Sequence, residues 1–94
     1  MVSRISKVRE KIHSRADVII GKNGLTEGVI REIEERLRSR EVVKVKLLKA
    51  SLEVIGSDRV GIARIIAEKV NAELVDVRGR TFILYKPKRA GKNL

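Results

Sequence analysis

The chain has 94 residues, 22 Lys plus Arg against 12 Asp plus Glu, a formal net charge of +10, no cysteine and no tryptophan. That length supports one domain, and 43% apolar content is enough to fill one core. Without cysteine, and with His13 as the single imidazole, a disulfide framework, a cysteine nucleophile and a Cys/His zinc site are all excluded, and no cofactor or metal is expected.

In chain order, Ser3 is placed to cap a first helix running to about His13, with Ile5, Val8 and Ile12 as its apolar stripe. Asp17 to Ile20 is a short β-branched run closed by Gly21 and reads as a strand. A second helix over 27–40 carries Leu25, Val29, Ile33 and Leu37 inward. Residues 42–48 alternate with period two, so Val43, Val45 and Leu47 face the core and Lys44 and Lys46 point the other way. Lys49 to Glu53 reads as a helical turn and Gly56 as a break. Ser57 caps the next helix, whose inner stripe is Val60, Ala63, Ile66, Ala67 and Val70.

Residues 74–78 and 81–86 are strands joined by Gly79-Arg80, a two-residue link with glycine first that favours a type II′ hairpin turn. In that register Arg78 opposes Thr81 and Val77 opposes Phe82. Val75, Val77, Phe82 and Leu84 then share one face, and Asp76, Arg78, Thr81, Ile83 and Tyr85 the other. The short links predict parallel neighbours, with the final hairpin adding one antiparallel strand.

The positive charge is concentrated at the ends. Met1 to Arg15 carries Arg4, Lys7, Arg9, Lys11 and Arg15 against Glu10, and Lys86 to Leu94 carries Lys86, Lys88, Arg89 and Lys92 with no acid. On the first helix Arg4, Lys7, Lys11 and Arg15 recur at spacings of three and four, a basic stripe beside the apolar one and a candidate phosphate track; an ordinary solvated face is the competing reading. The second helix is neutral. Glu27 with Arg31, Glu32 with Arg36 and Glu34 with Arg38 are i,i+4 pairs in the favourable order, so that face reads as structural. A chain this basic, with no apolar run of the roughly 18 residues a membrane span needs and no signal-peptide core, is expected to be cytoplasmic with a nucleic-acid partner.

The segment Ile20-Gly21-Lys22-Asn23-Gly24 joins the first strand to the second helix. Two glycines three apart allow a tight loop whose backbone can approach an anion, with Lys22 at its tip and a helix N-terminus behind it. It is neither a nucleoside-triphosphate loop nor a dinucleotide fingerprint, since the spacings of both are missing. Alone it is also an ordinary turn signal. A similar loop in KH domains clamps single-stranded nucleic acid, although there it joins two helices.

Three segments together, Ile-Ile-Gly-Lys-Asn-Gly-Leu-Thr-Glu-Gly-Val-Ile at 19–30, Val-Lys-Val-Lys at 43–46 and Gly-Arg-Thr-Phe-Ile-Leu-Tyr-Lys-Pro at 79–87, resemble the CRM (chloroplast RNA splicing and ribosome maturation) domain family, including its stand-alone YhbY-type members. The resemblance runs from about Ile5 to Lys86. It implies an α/β fold, an α-β-α-β-α-β-β two-layer sandwich with a four-stranded mixed sheet, similar to the C-terminal domain of a bacterial initiation factor. It also implies RNA binding through the glycine loop and adjacent basic surface and, for stand-alone members, association with precursors of the large ribosomal subunit.

The expectation is therefore a single CRM-type RNA-binding domain over 1–87, a basic tail over 88–94, and no enzyme activity. The RNA-binding residues are expected to be Gly21, Lys22, Asn23, Gly24, Arg4, Lys7, Lys11, Arg15, Lys44 and Lys46; for the last two, a strand face covered by the first helix and an edge-strand safeguard are the competing readings. The partner is RNA, ribosomal RNA or a pre-large-subunit particle, bound by a monomer, with no membrane and no small-molecule substrate. Phe82 is expected to be buried, which leaves no pair of rings for base stacking. The first rival is an Alba-like architectural protein that binds DNA or RNA, and the second is a protein-interaction module or structural component of the ribosome.

Overall fold

The computed structural model describes residues 4–87, with side chains from residue 8 onward. The Ser3 cap, the side chains of Ile5, Arg4 and Lys7, and the tail over 88–94 lie outside the described residues. Four helices and four strands follow in the order α1 (Arg4–Ile12), β1 (Val18–Ile20), α2 (Glu27–Arg40), β2 (Val42–Leu47), α3 (Lys49–Ile55), α4 (Arg59–Lys69), β3 (Glu73–Arg78) and β4 (Thr81–Tyr85). They build one four-stranded sheet in the order β1-β2-β4-β3.

The β1–β2 pair is parallel, as the short strand-helix-strand links require, with Val18 opposite Val45 and Ile20 opposite Leu47. The hairpin adds one antiparallel strand, as expected, and adds it inside the sheet. β4 inserts between β2 and β3, antiparallel to both, so β2 and β3 run the same way without touching. Composition fits this order: Phe82, Ile83 and Leu84 are consecutive and all buried, which suits a central strand covered on both faces, whereas β3 carries Glu73, Asp76 and Arg78.

One core holds the fold together. Val18, Ile20, Val43, Val45, Leu47, Phe82 and Leu84 on one sheet face pack against Ile33 and Leu37 of α2 and Ile62, Ala63, Ile66 and Ala67 of α4. At roughly 1.5–3 kcal/mol per fully buried large side chain, this face is the main source of stability. α1 packs on the opposite face, against β2 and β4, where Val42 and Ile83 are buried.

Several local expectations are corrected. The helical turn after β2 is a full helix, α3, ended by Gly56 in the left-handed conformation at φ 75° with its N–H on the Leu52 carbonyl. Asp58, and not Ser57, caps α4, its carboxylate accepting from the Gly61 N–H at 2.7 Å. Of the expected inner stripe Ala63, Ile66, Ala67 and Val70 are buried, Ile62 joins them, and Val60 is exposed. In β3 a bulge between Leu74 and Asp76 places Leu74 opposite Leu84, so Leu74 and not Val75 joins Val77 against the core. The hairpin itself keeps the expected register, Val77 with Phe82 and Arg78 with Thr81, and Gly79 takes φ 57°.

Candidate nucleic-acid interface

The glycine loop leaves the C-terminal end of β1 and is held by its own backbone. Gly24 N–H donates to the Gly21 carbonyl at 3.0 Å, closing a turn over Lys22 and Asn23, and Thr26 N–H donates to the Gly24 carbonyl at 3.1 Å. Gly24 sits at φ 72° and is buried; a Cβ there would lie 3.2 Å from Val54 Cγ1 and 3.5 Å from Ile55 Cγ1 of α3. Both the dihedral angle and the close approach therefore require glycine. Gly21 has neither restriction, since its added Cβ would make an ordinary 3.5 Å contact with Leu48.

At the tip, Lys22 and Asn23 are exposed, and their N–H groups have no hydrogen-bond partner among the described residues. Two successive unpaired N–H groups beside a lysine are donors that an anionic oxygen can accept from. The helix behind the loop contributes less than expected. Thr26 caps α2 by accepting from Val29 N–H at 3.1 Å, and Glu27 places an exposed carboxylate in the first turn. Beyond it, a groove of about 420 Å³ between α2 and Lys69 mixes Glu27 and Glu34 with Arg31, in keeping with the neutral face expected of this helix.

The other named cations separate into two groups. Lys11 is held by the carboxylate of Asp17 at 3.1 Å, and that carboxylate, 6% exposed, also receives Arg40 Nη1 at 2.7 Å and the Lys44 N–H at 2.8 Å. Lys44 Nζ donates to the carbonyls of Ile12 and Ser14, both at 2.8 Å, and so closes the C-terminal end of α1. Lys11, expected on the phosphate track, and Lys44, expected as a further RNA contact, are thus both engaged by protein groups that fasten α1 to the sheet. Arg15 is exposed but precedes β1, and the length of that strand, ~10 Å, separates it from the loop. Pro87 likewise follows β4 at the remote end, where Tyr85 opposes Val42.

Lys46 is exposed at the loop end of β2. Beside it the fold brings two arginines that sequence reasoning did not select. The Leu48 N–H bonds the Ile20 carbonyl at 2.9 Å and the Leu47 N–H bonds the Arg80 carbonyl at 2.7 Å, so the β3–β4 hairpin tip stands two strands from the glycine loop. Arg78 and Arg80 are both exposed there. The signal for them was the hairpin turn, but using it requires the strand order.

No helix among the described residues is long and apolar enough to cross a membrane, and these residues hold no cluster of three potential metal ligands. Comparison with known proteins agrees with the fold. The solution structure of protein SAV1595 from Staphylococcus aureus matches with a TM-score of 0.71 and 26% identity, over 100% of this chain and 97% of that one. "Probable RNA-binding protein MJ0652" of Methanocaldococcus jannaschii is 36% identical over 86 residues, 90% of this chain and 62% of the relative, so this chain spans less than two thirds of that protein. "Probable RNA-binding protein YqeI" of Bacillus subtilis is 30% identical over 93% of this chain and 88% of the relative. An "RNA-binding protein" of Haemophilus influenzae is 36% identical over 85% of this chain and 77% of its own length. The CRS1 / YhbY (CRM) domain model matches residues 4–86, nearly the whole chain, and the chain belongs to that family.

Proposed function

We propose that this chain binds RNA, holding the sugar-phosphate backbone at the turn over Lys22 and Asn23, and that its target is ribosomal RNA in precursors of the large subunit, bound by a single copy of the domain in the cytoplasm. The observation that carries the reading is the turn itself: two N–H groups, of exposed Lys22 and Asn23, without partners among the described residues, a lysine between the glycines, and a buried Gly24 at φ 72° that closes the turn. The names of the relatives support RNA as the ligand. The ribosomal target rests on the family resemblance. The activity is binding, with no reaction catalysed.

Competition between a structured RNA and duplex DNA for the purified protein at one salt concentration tests the ligand. Preference for RNA, lost in Lys22→Glu with the thermal midpoint unchanged, supports the reading. Equal affinity for DNA favours the Alba-like alternative, and unaltered affinity in Lys22→Glu removes the loop from the site. Cosedimentation of the protein with large-subunit precursors, absent from mature ribosomes, tests the target.

A further inference from the structure

One row of residues crosses all four strands at the loop end of the sheet, on the face turned away from the core. Ile19 lies opposite Lys46, Lys46 opposite Thr81, and Thr81 opposite Arg78. α1 packs on this face against β2 and β4, where Val42 and Ile83 are buried. Ile19 is 56% exposed, and Lys46 and Arg78 are exposed as well. Arg80 projects from the hairpin tip that ends the row, its carbonyl bonded to Leu47.

The charges of this row are available. Lys46 and Arg80 form no ion pair or side-chain hydrogen bond with a described residue, in contrast to Lys11 and Lys44. Asp76 is the carboxylate on this part of the face, and it is taken by Arg78, whose Nε lies 2.8 Å from it. From Gly21 to Arg80 the distance across two strand spacings is ~10 Å.

We propose that the RNA strand held at Lys22–Asn23 continues across the open end of the sheet, over Ile19 and Lys46, to Arg78 and Arg80 of the β3–β4 hairpin, and does not follow α1. The inference rests on the RNA-binding reading and gives that site its direction. Lys46 and Arg80 meet phosphates, a sequence-independent contact, while Ile19 offers an apolar surface that a ribose or an unpaired base can cover. The second half of the site is thus a strand face with a turn at its end, and the same fold that hides Lys44 under α1 leaves Lys46 in the open.

The test is charge reversal at four exposed positions, Lys22→Glu, Lys46→Glu, Arg80→Glu and Arg15→Glu, read by fluorescence anisotropy with a labelled single-stranded oligouridylate at fixed salt. Circular dichroism of each variant checks folding, and Lys46→Gln and Arg80→Gln serve where a reversal disturbs it. The expected result is a loss of about tenfold or more in affinity for Lys22→Glu, Lys46→Glu and Arg80→Glu, with Arg15→Glu within about twofold of the parent. Loss in Lys22→Glu with Lys46→Glu and Arg80→Glu near the parent overturns the path and leaves the loop as the site. Unchanged binding in all four overturns the RNA-binding reading of the loop itself.

Discussion

Asp17 and Lys44 hold each other twice: Asp17 N–H donates to the Lys44 carbonyl at 2.8 Å, and Lys44 N–H donates to Asp17 Oδ2 at 2.8 Å. The same carboxylate receives Lys11 from α1 and Arg40 from the end of α2. A single buried acid therefore joins a helix on each face of the sheet to the start of β1 and β2. Two cations that look like ligand-binding residues in the sequence, Lys11 and Lys44, thereby take protein groups as partners.

Removing that acid should cost stability without touching the glycine loop. Asp17→Ala leaves the Lys44 N–H and the Lys11 ammonium unpaired in partly buried surroundings, a loss of about 2–3 kcal/mol. For a domain of this size the thermal midpoint should fall by roughly 10–20 °C. Thermal and urea denaturation measure it directly, and a midpoint within ~2 °C of the parent would show that the network contributes little.

Lys44 and Lys22 should give opposite profiles. Lys44→Met keeps much of the aliphatic stem but leaves the Ile12 and Ser14 carbonyls without their donor, so stability should drop by about 1–2 kcal/mol while RNA affinity well below the transition stays within about twofold. Lys22→Met, at an exposed loop tip, should leave the midpoint unchanged and weaken RNA binding several-fold. Denaturation and anisotropy on the same samples separate the two. A Lys44→Met protein that binds poorly while fully folded would return Lys44 to the interface.

The two loop glycines also differ. Gly24→Ala forces a side chain into φ 72° and against Val54 at 3.2 Å, so it should destabilise by about 1–2 kcal/mol. Adding Val54→Ala relieves the contact but not the dihedral angle, and should restore only part of the loss. Gly21→Ala meets only Leu48 at an ordinary distance and should leave the midpoint nearly unchanged. A fall in RNA affinity in that variant then reports close approach of RNA to the backbone. Denaturation of the three variants, with binding measured on the folded Gly21→Ala protein, decides it.

How much of this was legible in the sequence depends on the range of the interaction. Local signals carried well: the 3.6 and 2 residue periods, the Gly79-Arg80 turn, and the loop glycines all describe neighbours within a few residues. Where a nonlocal partner decides, reading failed. Nothing near Leu74 announces the bulge that puts it, and not Val75, opposite Leu84, because the bulge is set by pairing with β4. The place of β4 inside the sheet and of β3 at its edge likewise goes with both faces of Phe82, Ile83 and Leu84 being covered, one of them by α1. The candidate site shows the same division. The loop was visible as a motif, whereas the fate of each lysine on one strand face depended on which end α1 covers. Lys44 and Lys46 are two residues apart and chemically identical, and tertiary packing alone separates them.

The dependence of binding on salt distinguishes the two possible tracks by counting phosphates. A strand on the sheet path meets Lys22, Lys46 and Arg80, with Arg78 shared with Asp76, so about three to four phosphates are neutralised. For single-stranded RNA the slope of log K against log salt should then lie near −2 to −3. A track that also engaged Arg4, Lys7 and Arg15 would add about three contacts and steepen the slope to roughly −4 to −5. Titration of a labelled oligouridylate over a range of potassium chloride gives the value. The double variant Lys22→Gln/Arg80→Gln should flatten the slope by about 1.4, while Arg15→Gln should leave it unchanged. A slope unaffected by the double variant and reduced by Arg15→Gln would place the bound strand along α1 and the start of β1, at the other end of the sheet from the glycine loop.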